Sequence, residues 1–196
     1  MVGKWKIFQK QGGHRFSTDD VTTAWVAINR ILKMREEGIT VSRHLDMGCG
    51  LGSVLMMVAW KFTDLTSTGI EAQKISCGLA RRSIRYNGAS DRITVYNGDL
   101  RDLSVLDSNV NQVNQDNHVK FPIITGTPPY FKAGEGALSA KVDQKACLFE
   151  FRGGVEEYIK SASHYLTEDG HFIVVESSLG KERFDKAAKL YSKMLR

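Results

Sequence analysis

The nine residues His44-Leu45-Asp46-Met47-Gly48-Cys49-Gly50-Leu51-Gly52 constrain this chain more than any other stretch. A short run from Val41 to Met47, apolar at Val41, Leu45 and Met47, ends in three glycines spaced two apart. A nearly unbroken apolar run, Val54 to Trp60, follows. The pattern predicts a strand, a tight glycine turn and a buried helix. Glycine is needed where the backbone takes positive φ or where a ligand touches the main chain. The free N–H groups of a helix start behind such a turn favour an anionic group. The dinucleotide fingerprint is spaced G-x-G-x-x-G. Here the spacing is G-x-G-x-G, with Asp46 two residues ahead of the first glycine.

A length of 196 residues fits one domain, 1–196, with room for a substantial core. Apolar residues make up 42% and charged residues 25%, the balance of an ordinary globular protein. No apolar run approaches the ~18 residues of a membrane span, and Met1 to Phe16 lacks the apolar core of a secretory signal. Cys49, Cys77 and Cys147 are far apart and show no C-x-x-C spacing. They predict reduced thiols in an intracellular, cytoplasmic protein, with neither a disulfide frame nor a zinc site.

The net charge of +5 is unevenly spread. Residues 1–16 carry Lys4, Lys6, Lys10 and Arg15 and no acid; residues 181–196 carry six bases against Glu182 and Asp185. The body between them is net negative. Basic ends on such a body fit a polyanion contacted at the periphery; they equally fit a solvated arm and the polar face of an end helix. Trp5, Phe8 and Phe16 sit among the N-terminal bases. Aromatics between cations can stack on nucleic-acid bases or pack on the body of the protein.

After this basic arm, 1–16, Ser17 and Asp20 predict a capped helix start. Val21, Ala24, Trp25, Ile28, Ile31 and Leu32 mark its inward face, and Gly38 its end. The expected order is then a strand over 41–47, a helix over 52–62 and a strand over 66–71. A helix from Gln73 closes at Asn87-Gly88, and a strand follows over 93–96. Asp107 to His118 is dense in Asn and Gln, so 104–120 is expected to be a flexible insertion. A strand over 122–125, a loop over 132–146, a helix from Val155 to about Asp169-Gly170, a strand over 171–176 and a final helix complete the chain. This alternation predicts an open, mostly parallel sheet with helices on both faces, an α/β Rossmann-like fold.

In such sheets ligands collect at the carboxyl ends of the strands, near the switch in strand order. Asp46 closes the first strand. Glu71 closes the second, 21 residues after Gly50, and Asp99 follows the third with Leu100 beside it. A carboxylate about 20 residues beyond a glycine loop is placed to accept both hydroxyls of a ribose. Taken singly, each acid also fits a cap or a solvated turn. The fourth strand runs into Thr127-Pro128-Pro129-Tyr130, where two prolines fix φ and hold the intervening carbonyl still.

With Asp46 ahead of its glycines, the loop resembles motif I of the class I S-adenosylmethionine-dependent methyltransferases. The resemblance implies that Gly48, Gly50 and Gly52 hold the methionine end of that cofactor, and that Glu71 takes its ribose. Asp99, with Leu100, would take its adenine. Thr127-Pro128-Pro129-Tyr130 resembles the Asn/Asp-Pro-Pro-aromatic motif of methyltransferases acting on exocyclic or amide nitrogens. That motif implies acceptor groups at Thr127 and Pro128 for the protons of a target amino group, and stacking of a flipped base on Tyr130. With Phe16-Ser17-Thr18-Asp19-Asp20 and Leu166-Thr167-Glu168-Asp169-Gly170-His171-Phe172, the chain is similar to the bacterial tRNA adenine-N6 methyltransferases. These modify adenine 37 of valine tRNA. The resemblance implies methyl transfer to adenine N6 in RNA, with the basic termini contacting the RNA and with no metal needed. The same Pro-Pro-Tyr signature occurs in glutamine methyltransferases, and DNA adenine is a further possible acceptor.

The chain departs from the family twice. Thr127 stands where the motif has Asn, which also fits a module that binds the cofactor with little turnover. The family's sheet ends in an antiparallel strand pair beyond the helix that follows strand five. This chain stops within that helix, so a sheet lacking the pair is expected, either in a piece of a longer protein or with an edge that something must cover.

Overall fold

A computed structural model describes residues 2–13, 15–108, 119–129, 153–176 and 180–191. Tyr130, the loop over 132–146 and most of the insertion therefore lie outside the described residues. Five strands form one sheet: β1 (Arg43–Met47), β2 (Thr66–Glu71), β3 (Ile93–Asn97), β4 (Phe121–Gly126) and β5 (Leu166–Val174). Their order is β3-β2-β1-β4-β5 and every pairing is parallel. Among the described residues there is no antiparallel pair. The chain starts in the middle, steps outward to β3, then returns to the other side of β1. The order therefore switches between β1 and β4.

The helices are α1 (Thr18–Glu36), α2 (Ser53–Lys61), α3 (Lys74–Tyr86), α4 (Ser104–Asp107), α5 (Val155–Tyr165) and α6 (Lys181–Tyr191). None of them is long and apolar enough to cross a membrane. Strand periodicity sorts the sheet's two faces. Leu45 and Met47 of β1 join Ile70, Ile124, Tyr158, Ala162 and Tyr165 in the layer beneath α5. Their alternates, His44 and Asp46, face the side covered by α2. Each fully buried Leu, Ile or Met in these layers contributes about 1.5–3 kcal/mol by leaving water.

Helix α1 starts as expected: the Ser17 N–H donates to the Asp20 carboxylate at 2.7 Å. Its inward face differs. Thr23, Ala24, Ala27, Ile31 and Met34 are buried, whereas Val21, Trp25 and Leu32 stay exposed, Trp25 at 65%. The helix carries two apolar stripes. The one with small Ala24 and Ala27 lets α1 approach α2 closely, and it packs with Val54, Met57 and Val58.

The second difference lies after α5. That helix ends at Tyr165, and β5 begins at once with Leu166. Leu166 pairs with Phe121 and His171 with Ile123, so five steps on β5 face two on β4. Asp169-Gly170, expected as a helix stop, lies with Thr167 and Glu168 in a bulge inside the strand. In the expected insertion, Ser104–Asp107 is a short helix, and Leu106 and Val119 are fully buried.

Candidate active site

Met47 and Gly126 are register partners at the ends of β1 and β4. Gly48 follows the first and Thr127 the second, so the glycine loop and the Thr-Pro-Pro segment leave the sheet side by side. This is the switch point of the strand order, where open α/β sheets bind ligands.

The loop is set by its glycines. Gly48, Gly50 and Gly52 have φ of 62°, 54° and 79°, a region costly for residues with a Cβ. At Gly48 a Cβ would also lie 2.2 Å from the Tyr158 hydroxyl of α5. At Gly50 it would meet nothing within 4 Å. Space is thus open above Gly50, beside the N-terminus of α2, as a ligand lying against the loop requires.

Glu71 is 5% exposed at the end of β2. Its carboxylate accepts the Gly50 N–H at 2.9 Å and the Gln73 N–H at 2.6 Å. It ties the glycine loop to the start of α3, and carboxylate oxygens hold further acceptor positions. Asp99 lies past β3. Arg101 grips it through Nε and Nη2 at 2.8 and 2.6 Å and through its backbone N–H at 3.0 Å. A carboxylate offers about four lone-pair sites, so an amino donor can join without breaking this fork. Leu100 is buried next to it. Thr127 and Pro129 are half-buried and Pro128 is buried.

Asp46 is placed differently from the other acids. It is 2% exposed, beneath α2, where it accepts the Leu55 N–H at 3.2 Å and the Thr125 hydroxyl at 2.7 Å. Thr125 Oγ1 in turn lies 2.8 Å from Nε2 of fully buried His44, whose Nδ1 is 3.4 Å from Ser67 Oγ. Asp46 ties β1 to α2 and β4 beneath the loop rather than opening onto the ligand space. Burial raises its carboxyl to about 7, against the lowering effect of the Thr125 bond. Burial lowers His44 to about 3. It also pushes up the thiol of Cys49 within the loop. The hydrogen-bond chain can be satisfied in both directions. With Asp46 ionised, His44 Nε2–H donates to Thr125, which donates to Asp46. With Asp46 protonated, the carboxyl donates to Thr125, which donates to His44 Nε2.

Thr125, His44, Tyr158 and Arg101 shape the candidate site and were missed by sequence reasoning. His44 two residues before Asp46, on the same face of the strand, was the visible signal for the buried chain. Nothing in the sequence marked Tyr158 apart from other helix positions. Among the described residues, no group of three or more His, Cys, Asp or Glu side chains is placed to hold a metal ion.

No family model matches the chain. It is 30% identical over 138 residues to a tRNA1(Val) (adenine(37)-N6)-methyltransferase of Porphyromonas gingivalis, across 69% of this chain and 50% of the relative. It is 28% identical over 154 residues to a ribosomal protein uL3 glutamine methyltransferase of Bradyrhizobium diazoefficiens, across 75% of this chain and 44% of the relative. The chain thus spans about half the length of these curated relatives or less. A solved S-adenosylmethionine-dependent methyltransferase of Clostridium acetobutylicum superposes with a TM-score of 0.50 at 21% identity, covering 81% of this chain and 51% of that one. The chain has the fold of the class I S-adenosylmethionine-dependent methyltransferases. Its open glycine loop, Glu71 and Asp99 fit the cofactor of that class.

Proposed function

We propose that the chain transfers a methyl group from S-adenosylmethionine to the exocyclic N6 of adenine in RNA, with tRNA the favoured substrate. The observation that carries this reading is the Met47–Gly126 pairing. It sets the cofactor loop beside Thr127-Pro128-Pro129, the segment whose residue types suit an amino acceptor. Gly48, Gly50, Gly52, Glu71, Asp99 and Leu100 would hold the cofactor, with Asp46 beneath the loop. When bound, the cofactor supplies an electrophilic methyl group on a sulfonium.

The chain's own residues then orient the acceptor. An adenine amino nitrogen is a poor nucleophile because its lone pair is delocalised into the ring. The Thr127 hydroxyl and the Pro128 carbonyl can each accept one of its protons, which aims the nitrogen. The two prolines hold that carbonyl still, and Tyr130 would stack on the flipped base. Proximity and orientation carry most of the rate. The similarity to the tRNA methyltransferase supports RNA as substrate and the cytoplasm as location.

Two other readings have specific support. Thr127 in place of Asn favours a module that binds the cofactor with little turnover. The similarity to the uL3 enzyme favours a protein glutamine; DNA adenine is a third acceptor of the same chemistry. Calorimetry with S-adenosylmethionine, run beside a transfer assay on mixed tRNA, DNA and protein, separates them. Binding with transfer to RNA supports the proposal, and binding without transfer to any substrate supports the module.

A further inference from the structure

The basic arm does not hang free. Lys6 and Asn87 exchange two hydrogen bonds, at 2.9 Å from the Lys6 N–H and 2.7 Å to its carbonyl. The Phe8 N–H donates to Ser83 Oγ at 2.9 Å. The arm therefore runs antiparallel to α3, two residues climbing one turn of the helix. It is extended, so its side chains alternate. Trp5 and Ile7 pack into the cluster beneath α2 and α3, and Lys4, Lys6 and Lys10 are exposed. Phe8 lies between the Arg82 guanidinium, 4.2 Å from its ring centre, and the edge of Tyr86, with ring centres 5.4 Å apart.

The lysine row thus lies against a helix with four bases and no acid, α3. Arg82, Arg85 and Tyr86 are exposed, Tyr86 at 66%. Lys4, Lys6, Arg82 and Arg85 have no carboxylate partner among the described residues. The other basic end is unlike this one. On α6, Lys181 pairs with Asp185 at 2.6 Å, Lys186 with Glu182 at 2.7 Å and Arg183 with Glu156 at 2.6 Å. Those cations are neutralised within the protein.

We infer that the N-terminal arm and α3 together form one cationic track that holds the phosphate backbone of the RNA substrate. From the arm's contacts at Asn87 and Ser83, α3 runs back to exposed Lys74, next to Gln73, whose N–H is held by Glu71 on the cofactor side of the candidate site. It spans ~20 Å, the length of 13 helical residues at ~1.5 Å each. An RNA strand is the polyanion that matches a row of cations, Lys4, Lys6, Arg82 and Arg85, that no described carboxylate neutralises. Exposed Tyr86 adds a stacking platform. The inference rests on the proposed RNA substrate for its partner, and on the arm–α3 geometry for its place.

The test measures binding of the full chain to fluorescently labelled unfractionated tRNA over a range of KCl. A Lys4→Gln/Lys6→Gln/Arg85→Gln variant should flatten the slope of log affinity against log salt by about 2, since each lost phosphate contact on a single strand removes ~0.7. A Lys181→Gln/Lys186→Gln variant should keep the parent slope. Calorimetry with S-adenosylmethionine should give parent-like affinity for both, which shows that they fold. An unchanged slope in the first variant overturns the track, as does equal flattening in the second. Loss of binding to phosphatidylserine vesicles with the tRNA slope intact also overturns it, in favour of a membrane. The readout is binding, so failure of methyl transfer to tRNA with a flattened slope would sink the proposed reaction and leave the track standing.

Discussion

The Gly50 N–H and the Glu71 carboxylate meet at 2.9 Å, joining the glycine loop of β1 to the end of β2. The same carboxylate holds the first turn of α3 through the Gln73 N–H. One side chain therefore ties the loop to α3 and, in the proposed cofactor site, would also accept the ribose hydroxyls. Hydrogen bonds to a charged group contribute about 1.5–3 kcal/mol each. Glu71→Ala should weaken S-adenosylmethionine binding about 10- to 100-fold or more by calorimetry. Parent-like affinity would remove Glu71 from the cofactor site.

Gly48 and Gly50 have similar backbone angles and different surroundings. Gly50→Ala should cost only the left-handed strain, about 1–2 kcal/mol, yet reduce cofactor binding, because its methyl fills the open space. Gly48→Ala should cost more in urea unfolding, since its Cβ would lie 2.2 Å from the Tyr158 hydroxyl and overpacking adds about 1–3 kcal/mol. Tyr158→Phe should recover part of that loss. Equal costs at the two glycines would contradict this picture.

The buried chain through His44, Thr125 and Asp46 sets opposing pH dependences. Folded Asp46 keeps its proton up to about 7, and the unfolded chain releases it near the ordinary carboxylate value of 3.8. That contribution falls as pH rises through this window. Folded His44 stays neutral down to about 3, and the unfolded chain takes up a proton below 6.5. That contribution rises with pH over its own window. The slopes cancel where the windows overlap. Asp46→Asn should leave stability climbing with pH between ~4 and ~6.5, and His44→Gln should leave it falling. Urea titrations at several pH values, on each variant and the parent, measure this. Parallel pH profiles for all three would contradict it.

The fold was legible because its signals are local. Glycine spacing, strand-ending acids at Glu71 and Asp99, and the Asn87-Gly88 stop each report on their own few residues. The face of α1 was legible only in part: Ala24 and Ile31 are inward as read, but two apolar stripes satisfy the same period, and the approach to α2 selects Ala27 over Trp25. The Thr167–Gly170 bulge was hidden because turn residues read alike at a helix stop and inside a strand. In the site, Asp46 was found as a residue, but its place under α2 depends on Thr125, 79 positions away. The arm's seat on α3 depends on Asn87 and Ser83, equally remote in sequence.

Thr127 is the departure that should limit the chemistry. Its hydroxyl is shorter than the amide oxygen of Asn, so one proton of the target amino group is poorly held while stacking survives. Thr127→Asn should raise the single-turnover rate, about tenfold for each 1.4 kcal/mol of restored transition-state stabilisation. Tyr130→Ala should instead weaken RNA binding, a base–aromatic stack contributing about 1–3 kcal/mol. A slower Thr127→Asn variant would mean a pocket built around the threonine and an acceptor other than adenine N6.

The most direct test of the proposed reaction is nucleoside analysis after incubating the chain with unmodified tRNA and S-adenosylmethionine labelled in its methyl group. Label recovered as N6-methyladenosine is the expected result. Label recovered only in protein, or on a nucleoside other than N6-methyladenosine, would contradict it.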